Sequence, residues 1–167
     1  MIRLNRRRLL AASLATTLAV LAAPLAGRAA EQTGPQPPLP KERLVIVTSD
    51  GVRHDFMVEM AMTMAQQETG LMFRPVIAAD GGMLFDWGRE QESQMWMKNT
   101  LASLDMLFIG ADGVIRHIAE RTTPRSLAVI DGGVPVRATL ELAAGTAERL
   151  DIRVGDKVLS RVFNNAA

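Results

Sequence analysis

Polar side chains interrupt an apolar segment between residues 94 and 107, and they are the residues of this sequence best suited to chemistry. Trp96 stands beside Lys98 and Asn99, and Asp105 opens the apolar run that follows. Polar groups in such a segment cost desolvation free energy unless they bind one another or a ligand. An aromatic platform with a few convergent polar groups is typical of a small-molecule or glycan pocket. We therefore take six residues as candidates for ligand binding: Arg74, Trp96, Lys98, Asn99, Asp105 and Glu141.

The same residues also permit a purely structural interpretation. Lys98 and Asp105 would then form a partly buried ion pair that fixes the register of neighbouring strands. Arg74 and Glu141 would form a second such pair, and Asn99 would bond to the backbone of a turn. Buried ion pairs are weak evidence for stability, but some proteins keep them for conformational specificity. The sequence leaves the binding and the structural interpretations open.

A third interpretation makes the protein an enzyme of hydrolase or lyase type. Asp105 and Glu141 would supply paired carboxylates, and Lys98 a desolvated amine. No serine lies in a nucleophile-elbow pattern, and the sequence does not place two of these groups within reach of each other. The catalytic residues are therefore unknown, and a non-enzymatic binding module for a small polar ligand or a cell-envelope component is the preferred hypothesis.

Thioether side chains cluster in one short segment and raise the question of a metal. Soft sulfur ligands select Cu(I), and an exported protein can meet copper. Methionine is also the usual gap-filler of an apolar core, and the chain has no cysteine and only two histidines, on separate predicted hairpins. We predict no cofactor and keep copper handling as a minor alternative that would use Met57, Met60, Met62 and Met64.

Short apolar runs separated by turn signals predict strands along most of the chain. The chain shows no internal repeat and no run of βαβ units, so the strands are expected to pair antiparallel. This pattern predicts a mostly β fold with two short helices: a compact antiparallel sandwich, jelly-roll-like, or a partly closed barrel. The predicted strands are 43–48, 52–59, 83–87, 95–100, 104–109, 114–121, 134–142 and 157–162, and the predicted helices 60–69 and 145–150.

The N-terminal segment has the order of parts that an export signal requires. A basic stretch at residues 3–8 precedes the apolar run 9–25, and Gly27-Arg28-Ala29 offers small residues for cleavage. The run Arg6-Arg7-Arg8-Leu9-Leu10 also resembles a twin-arginine signal, and an ordinary secretory signal is the equal alternative. We predict a signal at 1–29, a Pro-rich linker at 30–42, a single β domain at 43–163 and a tail at 164–167.

The charge of the mature chain differs from that of the precursor. The predicted signal contains five of the 19 basic residues and none of the 18 acidic ones, so cleavage leaves a net charge of −4. A mildly acidic domain offers no electrostatic footprint for nucleic acid. We therefore expect a periplasmic or secreted protein with no nucleic-acid partner and no stable membrane span after processing.

Several segments together resemble one bacterial and archaeal family, the domain-of-unknown-function family 192. They are residues 70–74, 82–85, Trp96-Met97-Lys98-Asn99-Thr100 with Leu104-Asp105, Leu140-Glu141-Leu142 with Gly145, and Val154-Gly155-Asp156. The resemblance covers residues 44–162 and implies a single, mostly β domain of sandwich or jelly-roll type. It implies no activity and no catalytic residues. The methionine-rich segment departs from the family pattern, which is usually polar there.

Overall fold

Nine strands and three short helices follow one another along residues 32–166, the part of the chain that the computed structural model describes. The signal predicted at 1–29 and residue 167 lie outside these residues. In chain order the elements are β1 (Lys41–Val47), β2 (Arg53–Ala61), α1 (Met64–Thr69), β3 (Gly81–Gln91), β4 (Gln94–Met95), β5 (Leu104–Ile109), β6 (Ile115–Ala119), β7 (Ile130–Asp131), β8 (Val136–Ala143), α2 (Thr146–Arg149), β9 (Lys157–Leu159) and a 3₁₀ turn (Arg161–Phe163).

Seven of the strands form one curled sheet in the order β6-β5-β8-β3-β2-β1-β9, while β4 and β7 pair separately. A single bridge between Val114 and Lys157 joins the β6 end of the sheet to the β9 end. Backbone hydrogen bonds from Val158 N–H to the Gly113 carbonyl and from Ile115 N–H to the Asp156 carbonyl strengthen that junction. The predicted mostly β fold with two short α-helices is therefore confirmed, and of the predicted alternatives the curled sheet is the partly closed barrel.

The two faces of the curled sheet carry two separate hydrophobic cores. The inner face, which bears Leu84, Leu107 and Leu140, is packed by residues from all seven strands and fills the barrel. The outer face bears Met83 and Phe85. Loops and short elements cover it, contributing Leu71, Met95, Met97 and other side chains. Because side chains alternate along a strand, the buried apolar residues of β3, β5 and β8 are divided between the two cores.

One strand pair departs from the predicted antiparallel arrangement. β2 and β3 are parallel, with Met57 opposite Gly81 and Ala61 opposite Phe85. Parallel neighbours need a long crossover, and residues 62–80, which include α1, supply it. The expectation that the strands pair antiparallel therefore fails for this one pair, although the sheet contains no run of βαβ units within the described residues.

The predicted linker is partly held against the domain. Gln36 Nε2 donates to the carbonyls of Gln66 and Gly70, at 3.1 and 2.9 Å, where α1 ends. Leu39 packs against the outer core, and its N–H donates to Glu59. Within residues 32–166, no helix has the length and apolar content needed to cross a membrane.

Candidate functional site

A cavity of about 350 Å³ opens on the outer face of the sheet, above the middle of β3 and β8. Helix α1 and the turn after it form one side of it, and the segment that follows β4 forms the other. Its lining is mainly apolar and aromatic: Met64, Gln67, Glu68, Thr69, Gly70, Leu71, Met72, Phe85, Trp87, Gln94, Met95, Trp96, Thr100 and Glu141. Concave apolar surfaces of this size with a few polar groups are the usual form of ligand pockets.

Glu141 is the buried charged group of this pocket. It lies on β8 between Met83 of β3 and Met106 of β5, and both of these neighbours are fully buried. The residue is 4% exposed, and burial raises the pKa of its carboxyl to about 8. Within residues 32–166, no hydrogen-bond donor or cation contacts this carboxyl, so nothing offsets the desolvation. At neutral pH the Glu141 carboxyl is therefore mostly protonated.

Aromatic rings flank the carboxyl on the same face of the sheet. Phe85 and Trp87 alternate on β3 and stack with their ring centroids 5.8 Å apart. Trp87 Nε1 donates to Thr139 Oγ1 at 3.3 Å, and that hydroxyl lies 3.0 Å from Ser93 Oγ. These bonds hold the indole in place. Trp87 thus presents a fixed aromatic surface to the pocket.

The segment Trp96–Thr100 forms a turn, and the strand predicted over 95–100 was wrong beyond Met95. Thr100 N–H donates to the Met97 carbonyl at 3.0 Å, and Asn99 has a φ of 56°. Asparagine tolerates positive φ better than most residues, which suits this turn. The Asn99 carbonyl accepts from Phe73 N–H at 2.8 Å, so the turn fastens the segment that carries Leu71 and Met72.

The turn brings Trp96 to the mouth of the pocket and Lys98 over its ring. Trp96 is 48% exposed, and Lys98 Nζ lies 5.2 Å from the ring centroid. An ammonium group at this distance from an indole is a favourable cation–π contact. Of the six predicted binding residues, Trp96 and Glu141 line the pocket, and Lys98 and Asn99 belong to the turn beside it.

Helix α1 is fixed at both ends, which gives the pocket a rigid side. Thr63 and Gln66 form a capping box at its start, and Gly70 ends it with a φ of 49°. A Cβ on Gly70 would lie 3.0 Å from Cζ of Phe85, so the chain passes close to the ring. Gln67 Nε2 donates to the carbonyls of Ala61 and Asp86, at 3.1 and 2.7 Å, and ties the helix to β2 and β3.

Arg74 does not pair with Glu141, and that predicted ion pair was wrong. Its guanidinium forms a bidentate salt bridge with the Glu59 carboxylate, with N–O distances of 2.5 and 2.9 Å. Burial alone would raise the pKa of Glu59, but the bonds from Arg74 and from Leu39 N–H outweigh it and lower the pKa. Arg74 therefore holds the loop after α1 to β2 and does not line the pocket.

Asp105 does not pair with Lys98, and that predicted ion pair was wrong too. The carboxylate is fully buried and accepts two backbone hydrogen bonds of 2.9 Å, from Arg121 N–H and from Ala147 N–H in α2. Asp105 points to the inner face and Glu141 to the outer face. Lys98, Asp105 and Glu141 therefore share no site, and the geometry of the predicted catalytic set is not realised.

The four methionines of the copper hypothesis lie apart. Met60 is 5% exposed and belongs to the inner core, while Met57 points outward from the same strand. Met62 and Met64 are exposed, and Met64 borders the pocket of Glu141. Within residues 32–166 no three His, Asp or Glu side chains cluster as a metal site would need. Thioethers on opposite faces of β2 do not form a joint copper site.

Among the pocket residues that the sequence did not indicate are the two aromatic side chains of β3, Phe85 and Trp87. They were assigned only to a short apolar strand. Their spacing of two places them on one face of β3, and Phe85 lies opposite Thr139, which shares its face of β8 with Glu141. Alternation could have shown that Phe85 and Trp87 share a face of their strand. It could not have shown that β8, which carries Glu141, is the neighbouring strand.

Residues 45–160 match the family DUF192, described as an uncharacterized ACR. The chain belongs to this family. The chain is similar to a crystal structure from Sinorhizobium meliloti 1021 that is named as a candidate transcription regulator, with 46% sequence identity and a TM-score of 0.74. The match covers 76% of this chain and 98% of that one. The chain is also similar to a crystal structure of a protein of unknown function from Novosphingobium aromaticivorans DSM 12444, with 32% sequence identity and a TM-score of 0.70. That match covers 87% of this chain and 99% of that one. No curated protein matches the chain.

Proposed function

We propose that this DUF192 protein is an exported, non-enzymatic binding module that holds a small polar ligand, or a polar part of a cell-envelope component, in the pocket above β3 and β8. The observation that carries the proposal is the carboxyl of Glu141. It is 4% exposed, opens into a 350 Å³ cavity and has no partner within residues 32–166. A buried polar group without a partner is costly unless something else binds it.

The rest of the lining suits binding rather than chemistry. Trp87, Trp96 and Phe85 offer aromatic surface, and Gln94 and Thr100 offer hydrogen-bonding groups at the edge. General acid–base or nucleophilic catalysis needs a second reactive group within reach of the first. The predicted partner Asp105 faces the other core, and Lys98 lies over Trp96 outside the pocket lining. A recognition role therefore fits the lining better than a hydrolase or lyase role.

Location in the cell envelope is part of the proposal. The basic, apolar and small-residue parts of segment 1–29 occur in the order of an export signal, and the chain after it is acidic. In such a compartment the available ligands include wall fragments, sugars, amino acids and amines. Each of these combines polar groups with some apolar surface, which the pocket is built to cover.

Tryptophan fluorescence tests the proposal directly, because the two tryptophans of the chain, Trp87 and Trp96, both line the pocket. We would titrate the full chain, in the form recovered from the cells that make it, with polar small molecules extracted from cell envelopes. A saturable spectral change that Trp96→Ala weakens at least tenfold is the expected result. Glu120→Gln, on an exposed residue away from the pocket, is the matched control. Binding that survives Trp96→Ala unchanged would place the ligand elsewhere and sink the proposal.

A further inference from the structure

The ionisable side chains that line the pocket are of one sign, and Lys98 places a positive charge only outside that lining, over Trp96. The fourteen lining residues include two carboxyl groups, Glu68 on α1 and Glu141 on β8, and no Lys, Arg or His. Arg74, the nearest arginine in the sequence to that lining, is fully engaged with Glu59. Within the part of the chain that the structure describes, no cation neutralises Glu141. When Glu141 is ionised, the charge missing from this site is therefore positive.

The aromatic lining points to the same kind of ligand. Indole and phenyl faces attract cations, and a pocket that combines such faces with a carboxyl group is the usual receptor for ammonium groups. Lys98 already places its own ammonium 5.2 Å above the ring of Trp96 at the mouth. Trp87 and Phe85 offer further aromatic surface deeper in the pocket.

We infer that the pocket takes an organic ammonium ion, with the ammonium group donating to the carboxylate of Glu141 and an apolar body lying between Trp87 and Trp96. The inference rests on the proposed function and names the chemical class of its ligand. A neutral or anionic ligand would leave the ionised form of Glu141 without a counter-charge. The cation supplies that charge where the protein does not.

Binding of an ammonium ion must therefore release a proton from Glu141. Burial holds the pKa of this carboxyl at about 8, and only its ionised form pairs with a cation. Its neighbours across the sheet are Met83 of β3 and Met106 of β5, and the exposed Glu68 of α1 is the one other ionisable side chain of the lining. As the pH rises towards 8, the apparent affinity should increase about tenfold per pH unit, in proportion to the ionised fraction of Glu141. Above pH 8 the affinity should level off.

Three probes of one shape separate the possibilities: hexylammonium, 1-hexanol and hexanoate. Each is titrated into the full chain at pH 6, 7, 8 and 9 with tryptophan fluorescence as one readout. The second readout is calorimetry at pH 7 in two buffers of different ionisation enthalpy. The difference between the two binding enthalpies gives the number of protons released, without use of the tryptophans. Glu141→Gln keeps the shape of the side chain and removes its charge, and Glu68→Gln and Glu120→Gln are the controls at the rim and on a remote exposed site.

We expect hexylammonium to bind at least tenfold more tightly than 1-hexanol at pH 8, with release of about one proton at pH 7 as a carboxyl with this pKa requires. Glu141→Gln should abolish both effects, while Glu120→Gln keeps them. Equal binding of hexanol and hexylammonium, or affinity that falls above pH 8, would overturn the inference and leave the proposed function standing. If none of the probes and none of the envelope compounds alters the fluorescence, both fail. Should Glu141→Gln not fold, the pH series on the natural chain decides alone.

Discussion

Asp105 and Glu141 lie on neighbouring strands but point to opposite faces of the sheet. In the pairing of β5 with β8, Asp105 stands opposite Leu142, and Met106 stands opposite Glu141. Asp105 is bound by two backbone N–H groups, whereas Glu141 faces an open cavity. The first carboxyl is thus part of the scaffold, and the second is free to meet a ligand. Two buried acids that are one register position apart on neighbouring strands therefore serve separate purposes.

Removal of the Asp105 carboxylate should destabilise the protein strongly. Asp105→Ala leaves the N–H groups of Arg121 and Ala147 without their acceptor, and the second of these bonds is buried. We expect a loss of about 3 kcal/mol in the free energy of unfolding, measured by chemical denaturation. Glu120→Ala, on an exposed residue, should change it by less than about 0.5 kcal/mol. A loss below about 1 kcal/mol for Asp105→Ala would mean that water replaces the carboxylate.

Lys98 and Asp105 should show no energetic coupling. Lys98→Met should cost at most about 1 kcal/mol, the value of an exposed cation–π contact, because its ammonium lies over Trp96. A double-mutant cycle with Asp105→Ala is expected to give a coupling below about 0.5 kcal/mol, as for residues that share no partner. The cycle of Lys98→Met with Trp96→Ala is the positive control. Coupling near 2 kcal/mol between Lys98 and Asp105 would restore the ion pair predicted from the sequence.

Glu141 should make the protein less stable as pH rises. Its pKa is raised from 4.5 to about 8 in the folded chain, so the folded state binds more protons than the unfolded state between these values. Stability therefore falls through this window, with a slope of at most about 1.4 kcal/mol per pH unit. Chemical denaturation at intervals from pH 5 to 8 measures this slope. The free energy of unfolding of Glu141→Gln, relative to that of the natural chain, should increase with pH by the same amount.

Two other carboxyls have lowered pKa values, Glu59 and, through its hydrogen bond from Thr48, Asp50, and neither acts in the window of Glu141. The pKa of Glu59 is lowered, so its contribution is present above its unfolded pKa and is lost only as the pH falls below about 4.5. Glu120→Gln should retain the full slope of the natural chain between pH 5 and 8. Parallel curves for Glu141→Gln and the natural chain would show that Glu141 ionises normally in the fold.

The mature N-terminus should lie near Ala30. Segment 1–29 lies outside the described residues, and the prediction rests on its basic, apolar and small-residue parts. Intact-mass measurement on protein from the cell envelope checks it, and a chain that still carries Met1 would be anchored instead. Replacing Arg6 and Arg7 by lysine should block export only if the twin-arginine route is used.

Parts of the sheet were predictable from the sequence, β8 from its alternation of apolar and polar residues and β5 from an apolar run of strand length. Val136, Ala138, Leu140 and Leu142 alternate with polar residues, and β8 runs from Val136 to Ala143. β5 was predicted with its observed bounds, Leu104–Ile109. β5 is buried at all six positions because both faces of the sheet are covered there, and a strand covered on both faces is a nearly continuous apolar run.

The partners of the charged residues were not readable in the same way. Glu59 and Arg74 meet because residues 62–80 cross over from β2 to the parallel strand β3, a return that alternation does not encode. The turn at Asn99 follows from its positive φ and from its bond to Phe73, which comes from a distant loop. Such contacts depend on tertiary packing, so the candidate residues were visible but their neighbours were not.

Strand β1 hydrogen-bonds to β9, with Val45 opposite Leu159, so the first and last strands of the domain are neighbours. A ribosome adds about 5–20 residues per second, so Leu159, which is 114 positions after Val45, is added on the order of ten seconds later. Until then β1 lacks its outer partner, and the bridge from Val114 to Lys157 cannot form. The contacts that close the curled sheet can therefore form only when almost the whole chain has been made.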